Sequence, residues 1–224
     1  MTTRLVILGA GGFAREVLDV VDAIEAAAPS TFTVVGFVSE RESDWNRTIH
    51  GVPVLGGFEW FERAPREGLH VVCGIGSPPV RKRLVARCEA LGLPSATLVH
   101  PRAVRTRWVE LGPGTVVTAG VVLTNDIRVG RHVHLNLNAT VGHDAVLEDF
   151  VTIAPGVNVS GNVHVGEGTD LGTGSAVLQN TTIGAWSVVG AGAVVHRNLP
   201  ANCTAVGVPA KVIKTRPPGW HESV

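Results

Sequence analysis

The sequence predicts two architectures in series: a small α/β domain on a Rossmann-like parallel sheet, then a parallel β-helix. Three observations carry this expectation. Residues 4–98 alternate short apolar strands with stretches of helical period, the pattern of a parallel sheet with right-handed crossovers. A glycine cluster, Gly9-Ala10-Gly11-Gly12, joins the first strand to the first helix. From residue 111 the helical period disappears, and an aliphatic residue returns at every sixth position.

In the first half, Leu5-Val6-Ile7-Leu8 reads as a strand, followed by the glycine cluster and a helix from Phe13 to about Ala27. Thr33 to Val38 reads as a second strand and Val71 to Ile75 as another. A helix from Pro79 to about Leu91 carries the apolar stripe Val80, Leu84, Val85, Cys88 and Leu91, with proline tolerated in its first turn. Ala96 to Val99 reads as a last strand.

The second half is an internal repeat. Leu111, Val117, Leu123, Val129, Leu135, Val141, Leu147, Ile153, Val159, Val165, Leu171, Val177, Ile183, Val189 and Val195 form an unbroken column of fifteen. A second column of small or branched residues, from Thr115 and Val121 to Ser187 and Ala193, lies two positions before these aliphatics. The pattern resembles the hexapeptide repeat of left-handed parallel β-helix proteins. Each hexad then forms one side of a triangular prism, three hexads form a coil of 18 residues, and residues 111–200 form five coils. Val99-His100-Pro101 resembles an earlier hexad, but Arg105 interrupts the aliphatic column, so an irregular first coil is expected. Residues 18 apart stack directly, separated by about the 4.8 Å of neighbouring strands. The expected division is residues 1–98, residues 99–214 and a tail at 215–224.

Composition narrows the function. Apolar residues make up 45% of the 224, and the 19 basic residues balance the 19 acidic ones, which speaks against a polyanion or nucleic-acid binder. No apolar run reaches the length of a membrane span, and Met1 to Arg15 lacks the pattern of a signal peptide. Cys73, Cys88 and Cys203 form no CxxC motif; they read as buried thiols of a protein in a reducing cytoplasm.

The chemistry-bearing motif is Asn136-Leu137-Asn138-Ala139-Thr140-Val141-Gly142-His143-Asp144. His143 lies two places after the inward Val141, so it faces outward near a corner, in a column with Asn125, Gly161, Gln179 and Arg197. A carboxylate beside an imidazole can hold one tautomer and make a general base. Directly above, Gly161 has no side chain, so a reacting carbonyl can approach its N–H. No cysteine or serine falls beside His143, so no acyl-enzyme is expected. On sequence alone, a polar turn residue remains the alternative for His143.

The glycine loop follows a strand and opens a helix, a favourable place for phosphate. It departs from the dinucleotide fingerprint at Ala14, and the domain is small; a nucleotide-sugar site is the expectation. Arg81, Lys82 and Arg83 read either as diphosphate ligands or as a solvated helix face. His132, His134 and His164 are the residues to weigh for zinc, but their spacing does not fit the three-histidine site of a β-helical carbonic anhydrase, and no metal is expected.

Over nearly its whole length the chain resembles the sialic-acid O-acetyltransferase-like and nucleotide-amino-sugar N-acetyltransferase family, which includes bacillosamine- and perosamine-type enzymes. The resemblance rests on Leu8 to Gly12, Asn138 to Asp144, Pro155 to Val163, Gly190 to Val195 and Val206 to Lys211. It implies acetyl-CoA as co-substrate, His143 as base, Asp144 as its orienting acid and Gly161 at the thioester. It also implies a homotrimer holding CoA between subunits near Thr152, Thr173 and Ala191. Lys211 and Lys214 read either as contacts to the CoA phosphates or as solvated surface lysines. Gly11, Gly12 and Phe13 would cradle the diphosphate or the sugar, and Ser39, Glu40 and Gly76 would border the nucleotide. Thr152 replaces a histidine of some relatives, Phe13 a histidine of many, and Ser39-Glu40 a pair of aspartates. The implied reaction is N-acetylation of a UDP- or GDP-linked amino sugar. O-acetylation of a sugar such as sialic acid and a non-catalytic trimeric scaffold are the alternatives.

Overall fold

The computed structural model describes residues 2–223. The N-terminal sheet contains β1 (Thr3–Leu8), β2 (Phe32–Val38), β3 (Thr48–Ile49), β4 (Val52–Gly56) and β5 (Leu69–Cys73), in the order β3-β4-β2-β1-β5. β1, β2, β4 and β5 run parallel, while β3 forms an antiparallel hairpin with β4. The helices are α1 (Gly12–Ala27), the single turn α2 (Trp60–Arg63) and α3 (Pro78–Ala90). The sequence reading missed the β3–β4 hairpin and α2. The hairpin's one local signal is His50-Gly51, both with left-handed φ, as a tight two-residue turn requires.

The strand expected at Ala96–Val99 does not join this sheet. Only Ser95 bridges to Val71, and Leu98–Val99 pairs with Val116–Val117 as the first rung of the β-helix. The first coil keeps the regular register, with Val104 opposite Val122 and Val109 opposite Ile127. Irregularity lies in burial instead: Val104 is 59% exposed. At the far end Ile183 pairs with Leu199 and Val188 with Thr204, so the last coil closes in sixteen residues instead of eighteen.

The prism has three faces. The first runs from Leu98–Val99 to Val188–Val189 and is extended by Cys203–Val206 and the antiparallel Lys211–Thr215. The second runs from Val104–Arg105 to Val194–Val195, the third from Val109–Leu111 to Thr182–Ile183. Both predicted columns point inward. The aliphatic column is buried except at partly covered Leu111, and the polar members Thr115, Thr169, Ser175, Thr181 and Ser187 are buried too. Thr115, Thr169 and Ser187 donate to carbonyls at Gly130, Gly184 and Pro200, so their hydroxyls do not go unpaired in the core.

The corners repeat as strictly as the faces. At every sixth position from Gly114 to Gly192 the backbone has left-handed φ. Glycine, asparagine and aspartate suit that conformation, and eleven of the fourteen positions carry one of them. The exceptions, His132, Phe150 and Trp186, all stand at the corner between the third and first faces.

The N-terminal domain docks at that corner and on the first face. Val17, Val21, Leu98 and Val116 share one core cluster; Phe61, Leu84, Cys88 and Phe150 share another. Residues 216–223 are not a free tail: the ring of His221 stacks on Trp186 at 3.6 Å, and Arg216 N–H donates to the Asn202 carbonyl. All three cysteines are free and buried, and burial pushes the Cys73 and Cys88 thiols up to about 11 and about 12.

Candidate active site

His143, Asp144 and Gly161 meet at the corner between the second and third faces. The 18-residue register places Gly161 one coil above His143, and a Cβ built on Gly161 would lie 2.6 Å from the imidazole Nε2. Only glycine fits against that ring. Asp144 occupies one of the left-handed corner positions, φ +58°, with its N–H donating to the Asn125 carbonyl. This turn directs its carboxylate back to the preceding residue, where Oδ2 accepts from His143 Nδ1 at 2.7 Å. Nε2 is left as the acceptor, facing the coil above. Both side chains are more than half exposed. The Gly161 N–H has no hydrogen-bond partner among the described residues, whereas the Asn162 N–H is spent on the His143 carbonyl. An imidazole with a free basic nitrogen thus borders an unspent amide donor, the pairing that acyl transfer to a nucleophile needs.

Below Asp144 a cavity of about 420 Å³ runs down the third face, walled by Arg107, Trp108, Glu110, Asp126 and Arg128. A second cavity, about 360 Å³, opens in the N-terminal domain at the carboxyl ends of its parallel strands, where α/β sheets bind ligands. Gly9, Gly11, Ser39, Glu40, Asp44, Ile75, Ser77 and Arg83 line it. Gly9 has φ +98°, a turn that brings the backbone close without a side chain. Ser39 donates to Asp44 Oδ2 at 2.7 Å, and Arg83 and Arg87 both pair with Glu40. Asp44 and Phe58 are cavity residues that sequence reasoning missed, whereas Arg83 was one of the basic triplet weighed for a diphosphate. Asp44 thereby places a carboxylate beside Ser39 in the cavity wall.

Other expected residues lie elsewhere. Phe13 packs on His134, ring centroids 4.6 Å apart, and neither it nor Gly12 lines the cavity. The Gly76 carbonyl faces the β-helix, accepting from Arg81 at 3.0 Å and Thr152 Oγ1 at 3.2 Å. Thr152 is buried against Arg81, so its side chain is not open to a cofactor. Thr173 and Ala191 are exposed and stacked 18 residues apart at the corner between the first and second faces, across the second face from His143. Lys211 and Lys214 are exposed on the terminal strand. Arg81 is fully buried, contrary to both readings of the basic triplet; Lys82 pairs with Glu167 and only Arg83 reaches the cavity. His164 pairs with Glu148 on the third face, and His132 and His134 are buried at the docking corner and first face. No cluster of three potential ligands lies among the described residues.

Residues 4–88 match the family model described as PglD N-terminal domain. The chain is 34% identical to a histidine variant of perosamine N-acetyltransferase from Caulobacter crescentus, solved with CoA and GDP-perosamine. The TM-score is 0.86, covering 94% of this chain and 96% of that one. The chain belongs to the bacillosamine- and perosamine-type hexapeptide acyltransferases. Further members of the family lie close to it. The acetyltransferase domain of PglB from Neisseria gonorrhoeae, solved with acetyl coenzyme A, superposes with a TM-score of 0.86 at 32% identity, covering 95% of this chain and all of that one. GDP-perosamine N-acetyltransferase from Escherichia coli O157:H7 is 29% identical over 217 residues, 94% of this chain and 96% of that protein. This acyltransferase carries its His–Asp pair on the β-helix, whereas the second cavity lies in the α/β domain. Within one chain, the His143 corner is the vertex opposite the first face, on which the N-terminal domain sits. None of its described helices is long and apolar enough to cross a membrane.

Proposed function

We propose that this enzyme transfers the acetyl group of acetyl-CoA to the amine of a UDP- or GDP-linked amino-deoxy sugar, as a cytoplasmic homotrimer with each site between two subunits. The observation that carries the proposal is His143: oriented by Asp144, its ring lies against Gly161 beside an unspent N–H. The attacking amine forms the C–N bond to the thioester carbon while His143 Nε2 takes its proton. Asp144 balances the imidazolium, and the Gly161 N–H donates to the tetrahedral oxyanion. Collapse expels the CoA thiolate, which recovers the proton from His143. No acyl-enzyme and no metal enter these steps.

The position of the cavity supports the trimer. A chain whose base and nucleotide cavity occupy opposite sides of a prism needs a second copy to bring them together. A head-to-tail contact from the His143 vertex to a partner's docked domain, repeated with a rotation of one third of a turn, closes as a ring. In this arrangement residues 1–98 bind the nucleotide sugar through Gly11, Ser39, Glu40 and Asp44, with the α1 N-terminus near the diphosphate. Residues 99–214 carry the chemistry, and Thr173, Ala191 and Lys211 border CoA. The perosamine enzyme solved with CoA and GDP-perosamine supports both ligand classes. The test is thiol release from acetyl-CoA with GDP- and UDP-linked 4-amino sugars as acceptors. Release with one of them supports N-acetylation and names the nucleotide. No release with either, in protein that binds acetyl-CoA, would overturn it in favour of O-acetylation.

A further inference from the structure

Arg81 is the largest fully buried side chain, and no carboxylate lies within ion-pairing distance of it among the described residues. It stands in the first turn of α3, just after the Ile75–Ser77 segment that walls the N-terminal cavity. Its two terminal nitrogens divide their work. Nη1 donates to the Ile75 and Gly76 carbonyls, each at 3.0 Å, and lies 3.1 Å from His134 Nδ1. Nη2 donates to the Phe150 carbonyl at 2.6 Å, the Val151 carbonyl at 3.3 Å and Thr152 Oγ1 at 3.0 Å. Thr152 closes the circuit by donating to the Gly76 carbonyl at 3.2 Å. One guanidinium therefore ties the cavity wall to the left-handed corner at Phe150 and to the first face.

Stability alone does not account for an arginine here. Burying a cation without a carboxylate costs several kcal/mol, and apolar replacements of buried charges are often neutral or stabilising. Burial drags the arginine down to about 10, so it still carries its charge near neutrality. His134 is held well below its ordinary value by burial and by Arg81, so its ring is neutral and Nδ1 accepts. Asp170, the ladder partner of Thr152, is the carboxylate whose charge acts on Arg81, without forming an ion pair with it. What an arginine supplies and an apolar residue cannot is a rigid planar fork reaching two elements at once.

We propose that Arg81 is a positioning residue for acceptor binding: it sets the Ile75–Gly76–Ser77 wall against the β-helix, so that the nucleotide cavity is presented to a partner's His143 in one fixed place. The proposal rests on the function given above, but its structural half can be tested apart from it. Arg81→Met removes the fork, Arg81→Lys keeps the charge without the fork, and Thr152→Val removes one strut without touching the charge. Thr152→Val provides the test if the Arg81 variants do not fold.

Amide-nitrogen NMR order parameters at Ile75–Ser77 and steady-state kinetics, with each substrate varied in turn, are the measurements. Arg81→Met should lower the order of that segment and raise KM for the nucleotide sugar by about tenfold or more, with KM for acetyl-CoA within about twofold. Arg81→Lys should restore little of this, and Thr152→Val should shift both readouts in the same direction by a smaller factor. A purely structural arginine would lower the melting temperature and leave the order of Ile75–Ser77 and the ratio of the two KM values as in the parent, which would overturn the proposal. A parent enzyme that transfers to no amino sugar would instead remove the functional reading, leaving the order of Ile75–Ser77 to decide the structural half.

Discussion

Two corners of the same prism, built from the same hexad, have been put to opposite uses. At the corner between the second and third faces the left-handed positions are aspartate or asparagine: Asp126, Asp144, Asn162 and Asn180. These residues adopt that conformation cheaply, and the corner is open, with His143 more than half exposed. At the corner between the third and first faces, His132, Phe150 and Trp186 take the same conformation, which is unfavourable for bulky side chains. They are kept there by what they touch. His132 stacks on Phe150 with rings 6° from parallel, Phe150 enters the core of the N-terminal domain, and Trp186 carries His221. A corner that must hold another domain tolerates strain in exchange for buried aromatic area. A corner that must admit substrates stays polar and unstrained. Mutations at the open corner should therefore change rate, and mutations at the docking corner should change stability.

The strongest change is expected at the open corner. His143→Ala should lower turnover by about 10²–10⁴-fold while acetyl-CoA affinity, read by calorimetry, and the melting temperature stay near those of the parent. Near-parental turnover would remove His143 from the chemistry. At the docking corner, Phe150→Ala should cost about 3–5 kcal/mol of unfolding free energy, measured by denaturant titration. A loss below about 1 kcal/mol would mean that the two corners are not energetically distinct.

Acid should act on the docking corner as well. Burial, with help from Arg131 and Arg81, lowers His132 to about 4, against 6.5 for an exposed histidine. Between those values the unfolded chain binds the extra proton, so stability is intact above pH 6.5 and falls as pH drops toward 4, by about 3 kcal/mol at most. His132→Asn, which suits a left-handed φ, should flatten the fall of melting temperature over that range; an unchanged slope would show that other groups set it. Asp144→Asn should be the mildest of the four. Asparagine fits φ +58° without strain, so the fold should be unaffected, and the rate should drop by about tenfold through loss of imidazole orientation. A matching loss of thermal stability would mean that Asp144 serves the turn more than the base.

Sequence could reveal the open corner because everything there follows from local period. The aliphatic column sets the coil, the coil sets the 18-residue stacking, and stacking puts Gly161 over His143 before any tertiary contact is known. The left-handed column was half visible, since its glycines, asparagines and aspartates stand at six-residue intervals while Phe150 and Trp186 hide the pattern. The docking corner was not visible. Whether Arg81, Lys82 or Arg83 is buried depends on which side of α3 meets the first face, and three consecutive basic residues look alike until the domains dock. The same holds for Thr152, whose neighbour in space, Arg81, lies 71 residues away, and for Asp44, brought beside Ser39 by a loop turn.

If a base on one subunit serves a cavity on another, two inactive variants should rescue each other when mixed. His143→Ala removes the base; Gly11→Trp fills the cavity mouth at a position where a Cβ meets no atom within 4 Å. Each alone should release no thiol from acetyl-CoA with the accepted nucleotide amino sugar. Co-expressed and purified as mixed oligomers, they should recover activity, because an intact His143 then faces an intact cavity across a subunit boundary. Mixed oligomers as inactive as their parents would place base and cavity in the same chain and rule out a site shared between subunits.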